Sequence, residues 1–360
     1  MALGPSAAQT AWPARPGCFV LGTMSTTRPV EQFHTSGGTR IYRLPLEVFT
    51  DFVGYCYVVV NERCRALVDV GSAFPQSVED LLSGLRAVRD EFGEPVSLEQ
   101  LDAVLITHGH VDHFSGLTPL AERVRAPIFV HELDRRILTN FEERVVVASK
   151  ALEAFLVQAG VKAELRAKLR EMYLFAKTFI RSVEHVEVMG EGQELFDTFR
   201  VIHTPGHCPG QVCLLVDDVL LVGDHVLART TPHLAPEKLT AYTGLGHYLE
   251  SLDKVVTLPG VRLVLGGHEE PVEDVSARVE AIRRSHCRKL ERFLELCREP
   301  RTVAELSMAH YGRREGYDIL LAIEEAGAHV EYLYQRGYLA IENLEEVERS
   351  PNPVLRYRRL

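Results

Sequence analysis

The strongest constraint on this chain is the run Thr-His-Gly-His-Val-Asp-His at residues 107–113. The run follows the apolar segment 103–106, which predicts a buried strand. Its potential metal-binding side chains are His108, His110, Asp112 and His113. Imidazole and carboxylate groups at this density, directly after a buried strand, indicate a metal site. The small Gly109 allows a tight turn, so that the loop can serve two adjacent ions.

Three further potential ligands lie much later in the chain. Each comes shortly after an apolar run that predicts a strand, at the point where the strand gives way to a loop. These residues are His207, Asp224 and His268. We expect these strand ends to supply the ligands that the first run lacks.

The predicted elements divide the 360 residues into three parts. Residues 1–38 are rich in Pro, Gly, Ser and Thr, which predicts a partly disordered N-terminal arm. Residues 39–275 alternate between strand and helix patterns, which is typical of an α/β domain. A helix-forming stretch at about 134–182 interrupts that domain as a helical insertion, placed where it can cap an active site.

The third part, residues 276–360, changes in character from sheet to helix. Helices are predicted at 276–298, 302–310 and 318–335. Two strands are predicted after them, at 338–341 and 354–357, across a polar turn that contains prolines. Three helices followed by such a hairpin predict a small winged-helix-like C-terminal domain.

The motifs of the central part resemble those of the metallo-β-lactamase superfamily in type and in order. They are THGHVDHFSG at 107–116, TPGH at 204–207, GD at 223–224, GH at 267–268 and, upstream, DVG at 69–71. The resemblance implies an αββα sandwich with a helical insertion. With the C-terminal part included, the chain is similar to the subgroup that contains the β-lactamase-like protein 2 family.

The resemblance also implies a role for each motif residue. Metal one would be held by His108, His110 and His207, and metal two by Asp112, His113 and His268. Asp224 would bridge the two metals, and Asp69 would support the site from behind the ligands. Asp112 and Asp224 are therefore also the residues expected to act in catalysis.

Two more residues follow Asp224 in a segment that this family uses to line the substrate pocket. We expect His225 and Tyr242 to contact substrate there, with Tyr242 placed to donate a hydrogen bond to an oxyanion. Because the ligand set contains imidazoles and carboxylates and no thiolate, two Zn²⁺ ions are the favoured cofactors, and Fe or Mn also suit these donors.

A two-metal site of this kind predicts a hydrolase that uses a metal-activated water. The long apolar insertion and the formal net charge of -10 favour a small acyl substrate, cleaved at a thioester or ester bond. An endoribonuclease or other phosphodiesterase, a lactonase and a non-catalytic ligand-sensing regulator stay open as alternatives. Nucleic acid is not the favoured partner, although Arg313, Arg314, Arg356, Arg358 and Arg359 could meet phosphates.

The seven cysteines are scattered and form no CxxC pair, which is typical of free thiols in a reducing compartment. No apolar run reaches the roughly 18 residues that a membrane-spanning helix needs. We therefore expect a cytoplasmic protein without a membrane contact, and a homodimer stays open.

Overall fold

The computed structural model describes residues 28–175 and 177–360. Within these ranges, seven strands form the first sheet and are hydrogen-bonded to one another in chain order. The strands are β1 (Glu31–His34), β2 (Arg40–Phe49), β3 (Phe52–Val60), β4 (Arg65–Val68), β5 (Ala103–Leu105), β6 (Ile128–His131) and β7 (Val186–Met189). The pairs from β1 to β4 are antiparallel, and those from β4 to β7 are parallel.

A second sheet, of five strands in the described ranges, has the order β12-β11-β10-β9-β8. Its strands are β8 (Glu194–Leu195), β9 (Phe199–His203), β10 (Val212–Val216), β11 (Val219–Gly223) and β12 (Leu263–Gly266). A separate pair, β13 (Leu339–Ile341) and β14 (Tyr357–Arg359), lies near the C-terminus.

The helices lie between and after these strands. They are α1 (Pro75–Asp90), α2 (Val111–Phe114), α3 (Leu117–Leu120), α4 (Glu132–Thr139), α5 (Phe141–Gln158), α6 (Ala163–Phe175), α7 (Leu245–Val256), α8 (Val275–Leu296), α9 (Val303–Tyr311), α10 (Asp318–Gln335) and α11 (Leu344–Arg349). In the part of the chain that the structure describes, no helix combines the length and the apolar character needed to cross a bilayer.

The two sheets pack face to face through a core of aliphatic side chains that includes Val59, Leu105, Val201 and Leu214. Helix α1 covers the outer face of the first sheet, where Gly84 lets it approach Leu44 closely. Helices α7 and α8 cover the outer face of the second sheet. The predicted αββα sandwich is therefore confirmed.

The first sheet begins earlier than the sequence predicts. The arm was expected to reach residue 38, but β1 pairs with β2 in antiparallel register, with Phe33 opposite Ile41. Phe33 packs against the core between the sheets, which explains why this segment is ordered as an edge strand. The prediction for residues 1–27 lies outside the described residues.

The helical insertion consists of α4, α5 and α6 and is not one continuous helix. Helices α5 and α6 share a hydrophobic core with α8, α9 and α10, in which Phe155 and Leu156 lie with Phe293, Leu306 and Val330, whereas Leu138 of α4 packs in the core of the first sheet. Backbone hydrogen bonds reinforce this contact, because the N–H of Ala304 donates to the carbonyl of Ala159 at 2.9 Å. Helices α5 and α6 of the insertion and the C-terminal helices therefore form one joint helical layer.

The C-terminal strands correct one detail of the predicted wing. Segment 354–357 was expected to pair with 338–341, but the partner of β13 is β14, and the helix α11 lies between them. The N–H of Leu355 donates to the carbonyl of Gln158 in the insertion, and that of Arg356 donates to Oδ1 of Asn343. These donors are thereby unavailable to β13, and the strand pairing starts only at Tyr357.

Candidate metal centre

All the predicted metal ligands follow the carboxyl ends of strands. The first run follows β5, His207 follows β9, Asp224 follows β11 directly, and His268 follows β12. Strands β9 and β11 both pair antiparallel with β10, and β12 is parallel to β11, so their carboxyl ends share one edge of the second sheet. The sandwich therefore delivers distant segments to one place.

The structure brings all seven predicted ligands together. His108, His110 and His207 form one group, and Asp112, His113 and His268 form another; in each, the potential ligand atoms lie within 4.8 Å of one another. Asp224 lies between the groups, because its Oδ2 is 3.7 Å from Nε2 of His207 and 3.5 Å from Nε2 of His268. This division matches the one that the family resemblance implies for metal one, metal two and their bridge.

Four of the imidazoles are fixed at Nδ1 and unpartnered at Nε2. The Nδ1 partners are Thr107 Oγ1 for His108 (3.0 Å), Asp69 Oδ2 for His113 (2.8 Å), the His233 carbonyl for His207 (2.7 Å) and the Val53 carbonyl for His268 (2.8 Å). Among the described residues, the four buried Nε2 atoms and Oδ1 of Asp224 have no hydrogen-bond partner. Buried polar atoms are rarely left unpaired, and metal-binding histidines are commonly anchored through their second nitrogen. The donor set therefore fits metal ions.

The charges in the cluster lead to the same conclusion. Burial raises the pKa of Asp112, but His113 and His268 outweigh this and lower it to about 2. Burial lowers the pKa of His268, but Asp224 and Asp112 outweigh this and raise it to about 9. The buried carboxylates therefore need positive charge beside them, which protons provide in the metal-free protein and which divalent cations can replace.

Asp69 connects the strand β4 with the ligand loop. Its Oδ1 accepts a hydrogen bond from the N–H of Thr107, and its Oδ2 accepts hydrogen bonds from Oγ1 of Thr107 and from Nδ1 of His113, all at 2.8 Å. Asp69 has a positive φ of 60°, a conformation that aspartate tolerates better than most residues. Its carboxylate thus orients His113 from the side opposite to the cluster.

A sequence profile of the metallo-beta-lactamase superfamily matches residues 49–268. This segment contains β3 to β12 and all seven clustered side chains. The chain belongs to the metallo-beta-lactamase superfamily.

Individual proteins are also similar to this chain. A probable metallo-hydrolase of Bacillus subtilis, YflN, is 30% identical over 45% of this chain and 55% of its own length. The uncharacterized protein ML0493 of Mycobacterium leprae is 30% identical over 59% of this chain and 85% of its own length. The crystal structure of the metallo-beta-lactamase family protein TTHA1429 from Thermus thermophilus is similar, with a TM-score of 0.70, 27% identity, and coverage of 89% of this chain and 98% of that one. The chain therefore spans about half the length of YflN and nearly all of TTHA1429.

Sequence reasoning missed Asp134, which holds the metallo-beta-lactamase site together from the first turn of α4. The fully buried carboxylate accepts hydrogen bonds from the N–H of Gly109 at 2.7 Å and from the N–H of Gly210 at 2.8 Å. It also accepts one from Sγ of Cys208 at 3.3 Å, and burial raises the pKa of that thiol well above its usual value. Asp134 therefore joins the loops of His108 and His207, and Cys208 is a protonated thiol that serves this bond.

The structure does not bring His225 and Tyr242 to the site in the way the sequence predicts. His225 is fully buried, its ring packs edge-on against Tyr248, and burial lowers its pKa to about 3. A ring enclosed in this way is a core residue, which argues against the predicted contact with substrate. Tyr242 is 48% exposed, has a positive φ of 66° and lies beside His247, so it belongs to the surface of the loop.

Proposed function

We propose that this chain is a two-metal hydrolase that cleaves a thioester or ester of a small acyl substrate. The observation that carries the hydrolase part is the convergence of four unpartnered Nε2 atoms and two carboxylates on a buried space. Two metal ions there would supply a hydroxide nucleophile at neutral pH and would polarise the scissile carbonyl.

We propose Zn²⁺ as the metal. Imidazole and carboxylate donors in two groups of three, with a shared carboxylate, suit Zn²⁺, and the nearest thiol, Cys208, is engaged by Asp134. Fe and Mn also accept these donors and are therefore included in the test below.

The residues of the chain have distinct roles in this proposal. Asp112 is the more exposed of the two carboxylates, at 14%, and its Oδ2 lies 3.3 Å from Nε2 of His268. It is therefore the group best placed to accept a proton from water and to pass it to a leaving group. Asp224 holds the two groups of ligands together, and Asp69 keeps the imidazole of His113 in one orientation.

The surroundings of the site support a small acyl substrate over a polyanion. Glu324 of α10 lies 3.4 Å from His233, whose carbonyl accepts from His207, and burial raises the pKa of the Glu324 carboxyl to about 7, so that it offers no fixed positive charge to a phosphate. Lys177, which follows α6, has its ammonium 3.9 Å from the ring centroid of Tyr173, and burial lowers its pKa to about 8 against the opposing charges of Glu324 and Asp112. The joint helical layer thus reaches the segment that supports His207.

The phosphodiesterase alternative rests on the C-terminal arginines, and two of these are neutralised. Arg356 forms an ion pair with Glu305 at 3.5 Å, and Arg358 forms one with Glu342 at 2.9 Å. The pairing of these two arginines with carboxylates lowers the net charge that the surface offers to a nucleic acid. A lactonase would attack the same kind of carbonyl group as an esterase or thioesterase. Only the substrate that is cleaved distinguishes this alternative from the proposal.

The proposed location is the cytoplasm. The six cysteines in the described ranges are all free, and the thiol of Cys287 is exposed. Free thiols, one of them exposed, suit a reducing compartment. Measurement of the oxidation state of Cys287 in cells tests this point, because a quantitatively oxidised thiol would contradict it.

The decisive experiment is a substrate panel on protein loaded separately with Zn²⁺, Mn²⁺ or Fe²⁺. The panel contains a short-chain acyl-CoA thioester, p-nitrophenyl acetate, an acyl-homoserine lactone, bis-p-nitrophenyl phosphate and single-stranded RNA, with His110→Ala as the control. We expect the thioester or ester to be cleaved with the highest kcat/KM and the variant to be inactive. Preferential cleavage of the phosphodiester or RNA would refute the substrate class, and activity in the variant would refute the metal mechanism.

A further inference from the structure

The loop after Asp224 is attached to the joint helical layer by carboxylates of α10. The N–H of Leu234 donates to Oε2 of Glu325 at 2.8 Å. Further along the loop, the N–H groups of Glu237 and Lys238 donate to the two oxygens of Glu331, at 2.6 and 3.0 Å. Two glutamates of one helix therefore hold two neighbouring parts of one loop.

Only one of these anchors is connected to a metal ligand. Nδ1 of His207 donates to the carbonyl of His233, and the N–H of Leu234 belongs to the same peptide group as that carbonyl. The peptide is trans, so the carbonyl and the N–H point in opposite directions. Glu325 and His207 therefore bind the two ends of a single peptide dipole.

A carboxylate at the N–H end of a peptide polarises it and makes its carbonyl oxygen a better acceptor. The stronger acceptor holds the Nδ1–H of His207 more firmly and makes its Nε2 a better donor to a metal. The same effect is obtained directly at His113, whose Nδ1 is bonded to the carboxylate of Asp69. Each of the two groups of metal ligands thus has one histidine that a carboxylate supports. The carboxylate of Asp69 contacts His113 directly, and that of Glu325 acts on His207 through a peptide group.

The carboxylate of Glu325 is suited to this role because its charge is maintained in the interior. The side chain is buried, and Nζ of Lys289 in α8 donates to its Oε1 at 2.7 Å, while Oε2 is left for Leu234. Burial raises the pKa of Glu325, but Lys289 and the neighbouring histidines outweigh this and lower it to about 2.

Glu325 also lies near His286 and His329, and their potential ligand atoms are within 4.8 Å of one another. The contacts disfavour a metal ion there. Nδ1 of His286 is 3.0 Å from Nε2 of His329, Nδ1 of His329 donates to the carbonyl of Glu325, and the Lys289 ammonium already compensates the carboxylate. This group is therefore a hydrogen-bonded support for Glu325.

We propose that Glu325 is a positioning residue for metal one, acting on His207 through the peptide group that joins His233 and Leu234. The inference rests on the proposed two-metal site. It makes the C-terminal helices a part of the metal centre, since metal one cannot reach full affinity without α10.

The test is a chelator-competition titration with Zn²⁺ on the full-length chain, in which two dissociation constants are measured for Glu325→Gln. A glutamine can accept from Leu234 only by turning its amide nitrogen towards the Lys289 ammonium, so it cannot replace the carboxylate. Loss of a residue that supports a metal ligand from behind weakens metal binding by ~10–100-fold. We expect that weakening for one Zn²⁺ only.

The matched control is Glu331→Gln, which removes a carboxylate from the same helix and the same loop without a connection to His207. We expect both of its dissociation constants to equal those of the wild type. A second readout is the d–d absorption of the Co²⁺-loaded protein, which we expect to change in Glu325→Gln and to stay unchanged in Glu331→Gln. Global loosening of the fold would instead weaken both metals or alter both variants, and would overturn the inference.

A second variant covers the case in which Glu325→Gln does not fold. An α-hydroxy acid in place of Leu234 removes the N–H and leaves the Lys289–Glu325 pair intact, and we expect the same selective weakening. Wild-type affinity in this ester variant would overturn the inference, as would a third Zn²⁺ equivalent in the wild type that is lost in Glu325→Gln. If the wild type binds no metal at all, it is the proposed function that fails.

Discussion

Two buried groups of histidines and carboxylates lie in this molecule, and they are organised in opposite ways. In the metal cluster, formed by the seven residues His108, His110, Asp112, His113, His207, Asp224 and His268, the bonded nitrogens face outward and the unpartnered atoms face one another. In the lysine cluster, formed by His286, Lys289, Glu325 and His329, the imidazoles bond to each other, a lysine compensates the carboxylate, and Nε2 of His286 is the single unpartnered ring nitrogen in this group. Residue type alone therefore does not distinguish a metal site from a structural network, whereas the direction of the unpartnered atoms does.

The largest expected effect comes from Asp224→Asn in the metal cluster. An amide cannot supply the shared charge between the two groups of ligands, so we expect metal content to fall from two equivalents to one or fewer. The proposed thioester hydrolysis should fall by more than the ~10–100-fold that loss of a residue bonded to a metal ligand costs. Elemental analysis and initial rates measure both, with the exposed Asp253→Asn as control; full metal content in Asp224→Asn would remove the bridging role.

In the lysine cluster, Lys289→Met should cost stability and, because it removes the charge that keeps Glu325 ionised, should weaken the binding of metal one and leave metal two unchanged. Removal of one partner from a buried ion pair costs about 3–5 kcal/mol, because the other charge stays buried without compensation. Urea unfolding measures the free energy, and the double variant Lys289→Met, Glu325→Gln should recover part of it. An extra metal equivalent in Lys289→Met would show that Lys289 is the residue that keeps the lysine cluster from binding a metal ion.

One histidine of each cluster should also respond to pH with the opposite sign in the metal-free protein. Burial, with help from His329 and Lys289, lowers the pKa of His286 from 6.5 to about 3, so its contribution to stability is present above pH 6.5 and is lost towards pH 3. His268, with its pKa raised to about 9, contributes below pH 6.5 and loses that contribution as the pH rises through 9. Unfolding free energies from pH 3 to 10 should show both slopes; His286→Gln should flatten the acidic one and His268→Gln the alkaline one.

The smallest effect is expected at the C-terminal surface. Arg358 and Glu342 are 50% and 41% exposed, and an ion pair as exposed as this contributes at most about 1 kcal/mol. Arg358→Gln should therefore change neither stability nor thioester hydrolysis beyond that limit. A marked loss of RNA binding in this variant, seen by fluorescence anisotropy, would revive the nucleic-acid alternative.

Sequence patterns were sufficient to predict an α/β domain and to name the residues that meet at the metal cluster, and the resemblance of their motifs to the superfamily implied the αββα sandwich. Their motifs are short, and each one follows an apolar strand, so local patterns locate them. The boundaries of α10 were also predicted, because its apolar spacing is long and regular.

The supports behind the cluster could not be predicted in the same way. Asp134 and Glu325 bind main-chain N–H groups, and because every residue except proline has one, no residue type marks the partner. The helix α11 was missed because Leu344–Arg349 is short and mostly charged, without apolar spacing. His225 was assigned to the pocket from its place beside Asp224, but its ring turns into the core against Tyr248.

The position of Glu325 in the chain has a consequence for biosynthesis. All seven residues of the metal cluster precede it, so they leave the ribosome while α10 is still being made. A nascent chain can therefore complete its sandwich and gather its ligands before the peptide behind His207 has its carboxylate. Metal acquired at that stage would be held less firmly at one position than at the other, and release from the ribosome would complete the centre.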